Sequence, residues 1–519
     1  MLEKAGTQQW PEKQDDSFNW KAQWYPLAIV RDLDEKAPNT FTLLNEALVI
    51  WKDGSGSWRV FHDSCPHRLV PLSEGRITEA GELQCAYHGW EFDGAGTCTA
   101  IPQGGQVNNP RTHATAYPCA VKQGLLWVKP SVVHGAAQHG MIEAEIDTAD
   151  IPIVPELEEE GGWENVSSLD SFRDLPYDYS TLLENLLDVG HVPFTHHASM
   201  SNRNTSSVIE LKVLDRSPTG FTGAWEAGPR QGKLGRQTTL FKAPGLMRHT
   251  IDAWESKGFC NITCAYAVPT TPGHCRAIVR QVFRFKNSFV AKVMKAVPEF
   301  GSHIGNNTIL EDDVIFLHKQ EPESVAAGLA NKPIGQVYHM PGASDAYVSA
   351  FRTWLARSGG GGPFGPMDEE WLQAAGPRLS REQLLDRYFS HTINCKICRR
   401  ALTRVQWARS ACKALAAVAA VAAATVAVAA LAGPGDVAAL HATTSSGGGP
   451  WASVRQTVGG AILRAFLAVI PAGEPSLLMA LAAGLLVLAL AATAGQHALR
   501  RLESKFITGT YPPPRNLEP

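Results

Sequence analysis

Short apolar runs punctuated by Gly, Pro and Asp fill the stretch from Trp24 to about Lys129. Four of them, Phe41–Leu44, Ala47–Trp51, Trp58–His62 and Leu125–Val128, have the length and the aromatic and β-branched content of strands. A small all-β domain is predicted. From about Pro152 to Leu402 the pattern is mixed. His274–Lys286 alternates apolar and basic positions, as a half-buried strand does, whereas Tyr179–Leu187 and Asn307–His318 read as helices. An α+β domain follows. Cys260 and Cys264 share one face of a further predicted strand and are read as packing, and Ser358–Pro366 reads as a Gly- and Pro-rich surface loop.

The pattern changes sharply in the tail. Ala414–Ala432 and Ser476–Gly495 are charge-free apolar runs, each near the ~20 residues needed to cross a hydrocarbon core about 30 Å thick. Alanine dominates the first run, so a buried soluble helix is its competing reading. Arg399, Arg400, Arg404, Arg409 and Lys413 precede it, and Arg500, Arg501 and Lys505 follow the second run. The positive-inside rule then places both ends of a membrane hairpin, and the large N-terminal part, on one side. Ala461–Ala472, with Arg464 and Pro471, is too short to span and is expected at the interface. These shifts divide the chain into an N-terminal segment (1–23), an all-β domain (24–135), an α+β domain (150–394), a basic linker (395–413), two spans (414–432 and 476–495) and a tail (496–519).

Composition narrows the function. A net charge of −3 over 519 residues gives no sign of general nucleic-acid binding. Ten cysteines spread along such a chain are too thin for a disulfide scaffold and point to thiol or metal chemistry in a reducing compartment. The acid-rich start, with Glu3, Glu12, Asp15 and Asp16, does not resemble a signal or transit peptide.

Cys65-Pro66-His67 and Cys85-Ala86-Tyr87-His88 each pair a thiol with an imidazole on a loop between predicted strands. An asymmetric [2Fe–2S] cluster needs this set: thiolates on one iron, neutral imidazoles on the other. A Cys₂His₂ zinc site is the rival, but zinc fingers usually pair Cys with Cys and His with His. A Tyr87 hydroxyl can reach a cluster sulfur; Trp90 either flanks the cluster or is core. Farther on lies Glu184-Asn185-Leu186-Leu187-Asp188-Val189-Gly190-His191-Val192-Pro193-Phe194-Thr195-His196-His197. Asp188 and His191 share a helix face. His191 and His196 do not, unless Pro193 bends or ends the helix. Two His and one carboxylate leave positions open on Fe(II) for O₂ and substrate. Finally, Cys395-Lys396-Ile397-Cys398 is a redox or metal signal; with no second pair nearby to complete a zinc site, a reactive dithiol in a basic setting is expected, with unpaired structural thiols as the alternative.

The Cys/His pairs resemble the Rieske domain. They lack the extra loop cysteines of cytochrome bc Rieske proteins, which points to the oxygenase branch. The whole series, from Rieske loops through the His-pair segment and a late Asp to His391-Thr392-x-x-Cys395-x-x-Cys398 and two spans, resembles the plastid family of pheophorbide a oxygenase. That family includes a translocon-associated Rieske protein and a protochlorophyllide-dependent oxygenase. The resemblance implies an α+β architecture with a helix-grip-type catalytic domain and a C-terminal membrane hairpin. It makes Cys65, His67, Cys85 and His88 cluster ligands, and His191 and His196 iron ligands. Asp188 becomes the carboxylate bridging to a cluster-ligand His across a subunit boundary, with Asn185 near the iron and His197 spare. Relatives place the ligand Asp before an apolar stretch, which favours Asp313, with Asp312 second. The resemblance further implies electrons from ferredoxin or a reductase, O₂, a chlorophyll-type tetrapyrrole substrate, a thioredoxin-sensitive dithiol and a homotrimer. The implied address is a chloroplast membrane, inner envelope or thylakoid, with the catalytic part in the stroma. The alternative is a redox-sensing component of the inner-envelope import machinery.

Overall fold

In the computed structural model, residues 18–131, 147–158, 164–165, 169–431 and 475–511 are described. The chain forms two compact units, Met1–Ile397 with Thr508–Pro519, and Cys398–Ile507.

The all-β part is built from three small antiparallel sheets. One has strand order Asn39–Leu43, Glu46–Lys52, Trp58–His62, Ala116–Tyr117; a second has order Arg76–Ile77, Leu83–Gln84, Glu91–Phe92, Cys98–Ala100. The third pairs Tyr25–Ile29 and Cys119–Lys122 with Leu125–Val128. Val49, Trp51, Phe61, Leu72, Leu83 and Phe92 form a core that also buries Cys65 and Cys85. The loops bearing those cysteines thus hang from strands whose inner faces are fixed by packing.

The α+β part centres on one 8-stranded antiparallel sheet. Its longest strands, Phe259–Thr271 and His274–Phe285, pair over nearly their whole length. Burial alternates along His274–Phe285, whereas in Phe259–Thr271 it alternates at the start and is then continuous; helix α1, Tyr179–Leu187, packs on both strands. Asp178 caps α1 by accepting from the Ser180 backbone N–H at 2.9 Å. Leu182, Leu183 and Leu187 are fully buried in the core with Phe241, Phe351 and Trp354.

α1 stops at Leu187, and α2, Val192–Thr195, is a single turn. The expected break at Pro193 is therefore misplaced. It falls earlier, where the Asp188 carboxylate accepts from the Gly190 N–H at 2.7 Å and closes a turn. Pro193 lies in the first turn of α2, where a missing N–H costs nothing. Asp188 and His191 accordingly do not share a helix face. Helix α3, Glu299–Ala326, begins well before the predicted Asn307. Glu311, Asp312 and Asp313 are therefore mid-helix, out of reach of the positive end of the helix dipole.

The second unit contains α4, Lys396–Leu431, most of which belongs to it, and α5, Pro475–Ile507. Both are long and apolar enough to cross a membrane, with mean hydropathy 2.4 and 2.5 in their best windows. They pack through Val426, Leu478 and Ala482, and Arg409 Nε lies 2.9 Å from Glu503 Oε2. Ala432 and the expected interfacial stretch Ala461–Ala472 lie outside the described residues.

Candidate redox and metal centres

The two cluster loops have one construction. In the first, Cys65 N–H donates to Val70 O and Leu69 N–H to Cys65 O, both at 2.8 Å. In the second, Cys85 N–H donates to Trp90 O at 2.9 Å and Gly89 N–H to Cys85 O at 3.0 Å. Each loop closes on a left-handed residue, Leu69 at φ 60 and Gly89 at φ 73. Closing that turn outweighs the strain on Leu69, a bulky residue in a region that favours glycine. The cysteines are 1% exposed, whereas His67 is exposed and His88 half-buried. The His67 and His88 rings lie 4.6 Å apart, and Trp90 stacks on His67 at 4.6 Å and 7°. Trp90 also packs on the core. Buried thiols with imidazoles facing outward fit a cluster whose His-bound iron is the exit for electrons.

The second centre forms where α2 meets α3. His191 and His196, at the two ends of α2, bring their Nε2 atoms to 3.2 Å. Asp313 Oδ1 lies 3.9 Å from His191 Nε2, and Oδ2 lies 3.4 Å from His196 Nε2. One donor atom from each residue falls within 4.8 Å of the others, a fit for a single ion. Asp312 faces away from this triad. Its Oδ2 is 3.3 Å from His196 Nδ1 and accepts from Ser199 Oγ at 2.6 Å. It thus holds the far side of the imidazole and turns Nε2 inward, the usual role of a carboxylate behind a metal-bound His. Glu311 is committed elsewhere, buried between Arg173 and Arg387.

Electrostatics follow the packing. Burial pushes the Asp313 carboxyl up, against the opposing pull of the two imidazoles. Burial disfavours His191 cation, yet Asp188 and Asp313 together hold it above the ordinary value. A metal ion replaces that proton as the positive charge the carboxylates favour. Asn185 Nδ2 lies 3.5 Å from His191 Nε2. Asp188 Oδ2 is 3.6 Å from His191 Nδ1 with its side chain 37% exposed, so a second partner can reach it. His197 accepts from the Arg203 N–H at 3.2 Å and takes no part in the triad.

The triad opens onto a cavity of about 500 Å³, lined among others by Trp225, Met247, His249, Phe283 and Arg230. Phe283 also lines it, while Phe194, next to Pro193, is exposed. His249 was not foreseen. It hydrogen-bonds Leu186 O at 3.0 Å and Thr239 Oγ1 at 2.9 Å, and burial depresses its pKa to about 4. A lone His in a strand gives no signal of this; only the sheet brings it behind α1.

Cys395 and Cys398 join neither centre. Cys395 is buried with its Sγ 3.4 Å from His303 Nδ1, a residue distant in sequence but adjacent in the fold.

Residues 23–111 match the Rieske [2Fe-2S] domain, and residues 241–328 match pheophorbide a oxygenase. The chain is 35% identical over 417 residues to pheophorbide a oxygenase of Oryza sativa subsp. japonica, covering 76% of this chain and 75% of the relative. It is 32% identical over 428 residues to flavonoid 8-hydroxylase 2 of Ocimum basilicum, covering 76% of each. Dicamba monooxygenase bound to dicamba shares the fold at TM-score 0.50 and 19% identity, over 66% of this chain and 98% of that one. These relatives make the protein an iron–sulfur oxygenase that uses a [2Fe–2S] Rieske cluster and a mononuclear iron. With buried thiols beside more accessible imidazoles and a His₂Asp triad opening on a cavity, the chain belongs to the Rieske oxygenase family of pheophorbide a oxygenase and its chloroplast relatives.

Proposed function

We propose that this chain oxygenates a chlorophyll-type tetrapyrrole at a chloroplast membrane, with electrons from ferredoxin or a reductase. Cys65, His67, Cys85 and His88 would hold the cluster, and His191, His196 and Asp313 the iron. The observation that carries this reading is the convergence of three donors on one side of the large, mostly apolar cavity. When bound, the two groups supply one-electron transfer and O₂ activation.

The chain's own residues do the rest. Asp312 and Ser199 orient His196, and Asn185 flanks His191. Trp225, Met247 and Phe283 offer apolar surface to a flat macrocycle, and Arg230 offers a cation to a substrate carboxylate. The partly exposed Asp188 suits a contact with a cluster-ligand His of a neighbouring subunit in a homotrimer. α4 and α5 suit a hairpin anchor, with Leu477, Leu481, Val487 and Leu490 turned outward and basic residues at both ends. The catalytic part then faces the stroma, on envelope or thylakoid.

The test is anaerobic reduction of the full-length protein with pheophorbide a, chlorophyllide a, protochlorophyllide or a flavonoid, followed by isotopically labelled O₂ and product masses. Label is expected in a tetrapyrrole. Label in the flavonoid alone, or in no tetrapyrrole despite a reduced cluster, would overturn the substrate assignment.

A further inference from the structure

We propose that Gln237 is a specificity-determining residue of the cavity, whose side-chain amide donates to an uncharged carbonyl oxygen at the edge of the bound ring system. The proposal rests on the tetrapyrrole reading above and adds the polar contact that sets which way a flat ring faces. Among the described residues lining the cavity, three polar side chains are more than nine-tenths buried: His196 at 2% exposed, Asp313 at 4% and Gln237 at 6%. The first two belong to the triad. The Gln237 amide has no hydrogen-bond partner among the described residues.

The neighbouring polar groups on the sheet are already engaged. Thr239 Oγ1 and Leu186 O occupy both nitrogens of His249. Thr263 Oγ1 donates to Asn261 Oδ1 at 3.3 Å, and Asn261 Nδ2 donates to Val282 O at 3.4 Å. Gln281, the remaining amide on this face, is only half-buried, so leaving it without a partner costs less. Gln237 opens the strand Gln237–Lys242, directly across from Trp225 on one side and Ile251 on the other. Ile251 has nothing to offer it. Trp225 Nε1 is a buried donor that also lacks a partner. Directly opposed side chains start about 4.5–5.5 Å apart at Cβ, within reach of a carboxamide and an indole. Turning the carboxamide brings Oε1 onto the indole N–H and leaves the amide NH₂ as a donor to the cavity.

Packing alone would not choose a glutamine here. A leucine of similar size would fill the space beside Trp225 and Ile251 without burying an amide. The cost is recovered when a ligand oxygen completes the pair. An uncharged donor suits an uncharged oxygen. A carboxylate would give up its water for neutral hydrogen bonds at Gln237, whereas the exposed Arg230 meets it with a charge. The ligand class that fits both is a planar, mostly apolar ring with a ketone or ester carbonyl at its edge and an acid on a side arm. Gln237 selects and orients this ring, and no bond forms or breaks at it.

The test titrates full-length protein in detergent, without O₂, with pheophorbide a and with its analogue whose ring ketone is reduced to a methylene. Resonance Raman spectra of bound pheophorbide a should show the ketone stretch lowered from its position in a dry aprotic solvent. Gln237→Leu should return the stretch to that position and weaken pheophorbide a binding about 10-fold. It should leave the affinity for the methylene analogue unchanged and the Tm equal to or above that of the wild type, which loss of a merely structural residue would not do. If the variant fails to fold, the wild-type spectrum and the preference of the wild type for the ketone decide alone. An unshifted ketone stretch, or a variant that binds both ligands as the wild type does or loses both equally, would overturn the role of Gln237 while bound pheophorbide a upholds the tetrapyrrole reading. If none of pheophorbide a, chlorophyllide a and protochlorophyllide binds, both fall.

Discussion

One helix, α3, serves two sites of opposite character. Toward its middle, Asp313 meets His191 and His196 in a set of three donors that opens onto a cavity. Ten residues earlier, about 15 Å along the axis, His303 is fully buried against Cys395 and the His391 ring. A carboxylate-bearing set that opens on a cavity leaves a metal room to react; a side-chain cluster buried on every side serves to hold the helix in place. The difference shows how one rigid element can carry chemistry and its own clamp.

The largest expected effect is at the open site. Asp313→Ala should empty the mononuclear iron and lower turnover by at least about 100-fold, since loss of a ligand exceeds loss of a group behind one. The cluster's visible absorption should persist. Full iron and full turnover in this variant would remove Asp313 from the triad. Next, Asp312→Asn should weaken iron affinity about 10- to 100-fold, with activity returning at excess ferrous ion. Iron titration of the apoprotein measures this, and an unchanged affinity would mean that Asp312 does not steer His196.

A milder treatment compares the triad with the iron–sulfur cluster in one molecule. Dialysis against a water-soluble chelator should strip the triad's iron well before the cluster, because the triad opens on a cavity whereas Cys65 and Cys85 are buried. Loss of both at one rate would erase the contrast. The smallest effect concerns the common support. Glu321, near the end of α3, accepts from Asp178 N–H at 2.6 Å and Thr181 Oγ1 at 3.0 Å. Burial, then the nearby Asp178, pushes its pKa from 4.5 to about 7. Folding therefore favours the protonated form. That advantage is complete below about 4.5 and is lost as pH rises through about 7. Glu321→Gln should raise the Tm at pH 8 by a few degrees and leave it nearly unchanged at pH 4. An equal shift at both pH values would point to packing instead.

Spacing and order along the chain determined much of this protein. The two Cys/His pairs, the His191–His196 segment, the helix Tyr179–Leu187 and the two apolar runs are local patterns, legible because ligands on one loop or one turn lie close in sequence. Tertiary structure alone decided what depends on separated segments meeting. It made Asp313 and Asp312 differ, because adjacent helix residues point about 100° apart and only packing fixes which direction meets the imidazoles. It put the break at Asp188 rather than Pro193, through a side-chain turn that competes with the helix. It also carried His303 to a motif some ninety residues away, a contact that no periodicity records because burial of α3 against the sheet, not the local chain, brings them together.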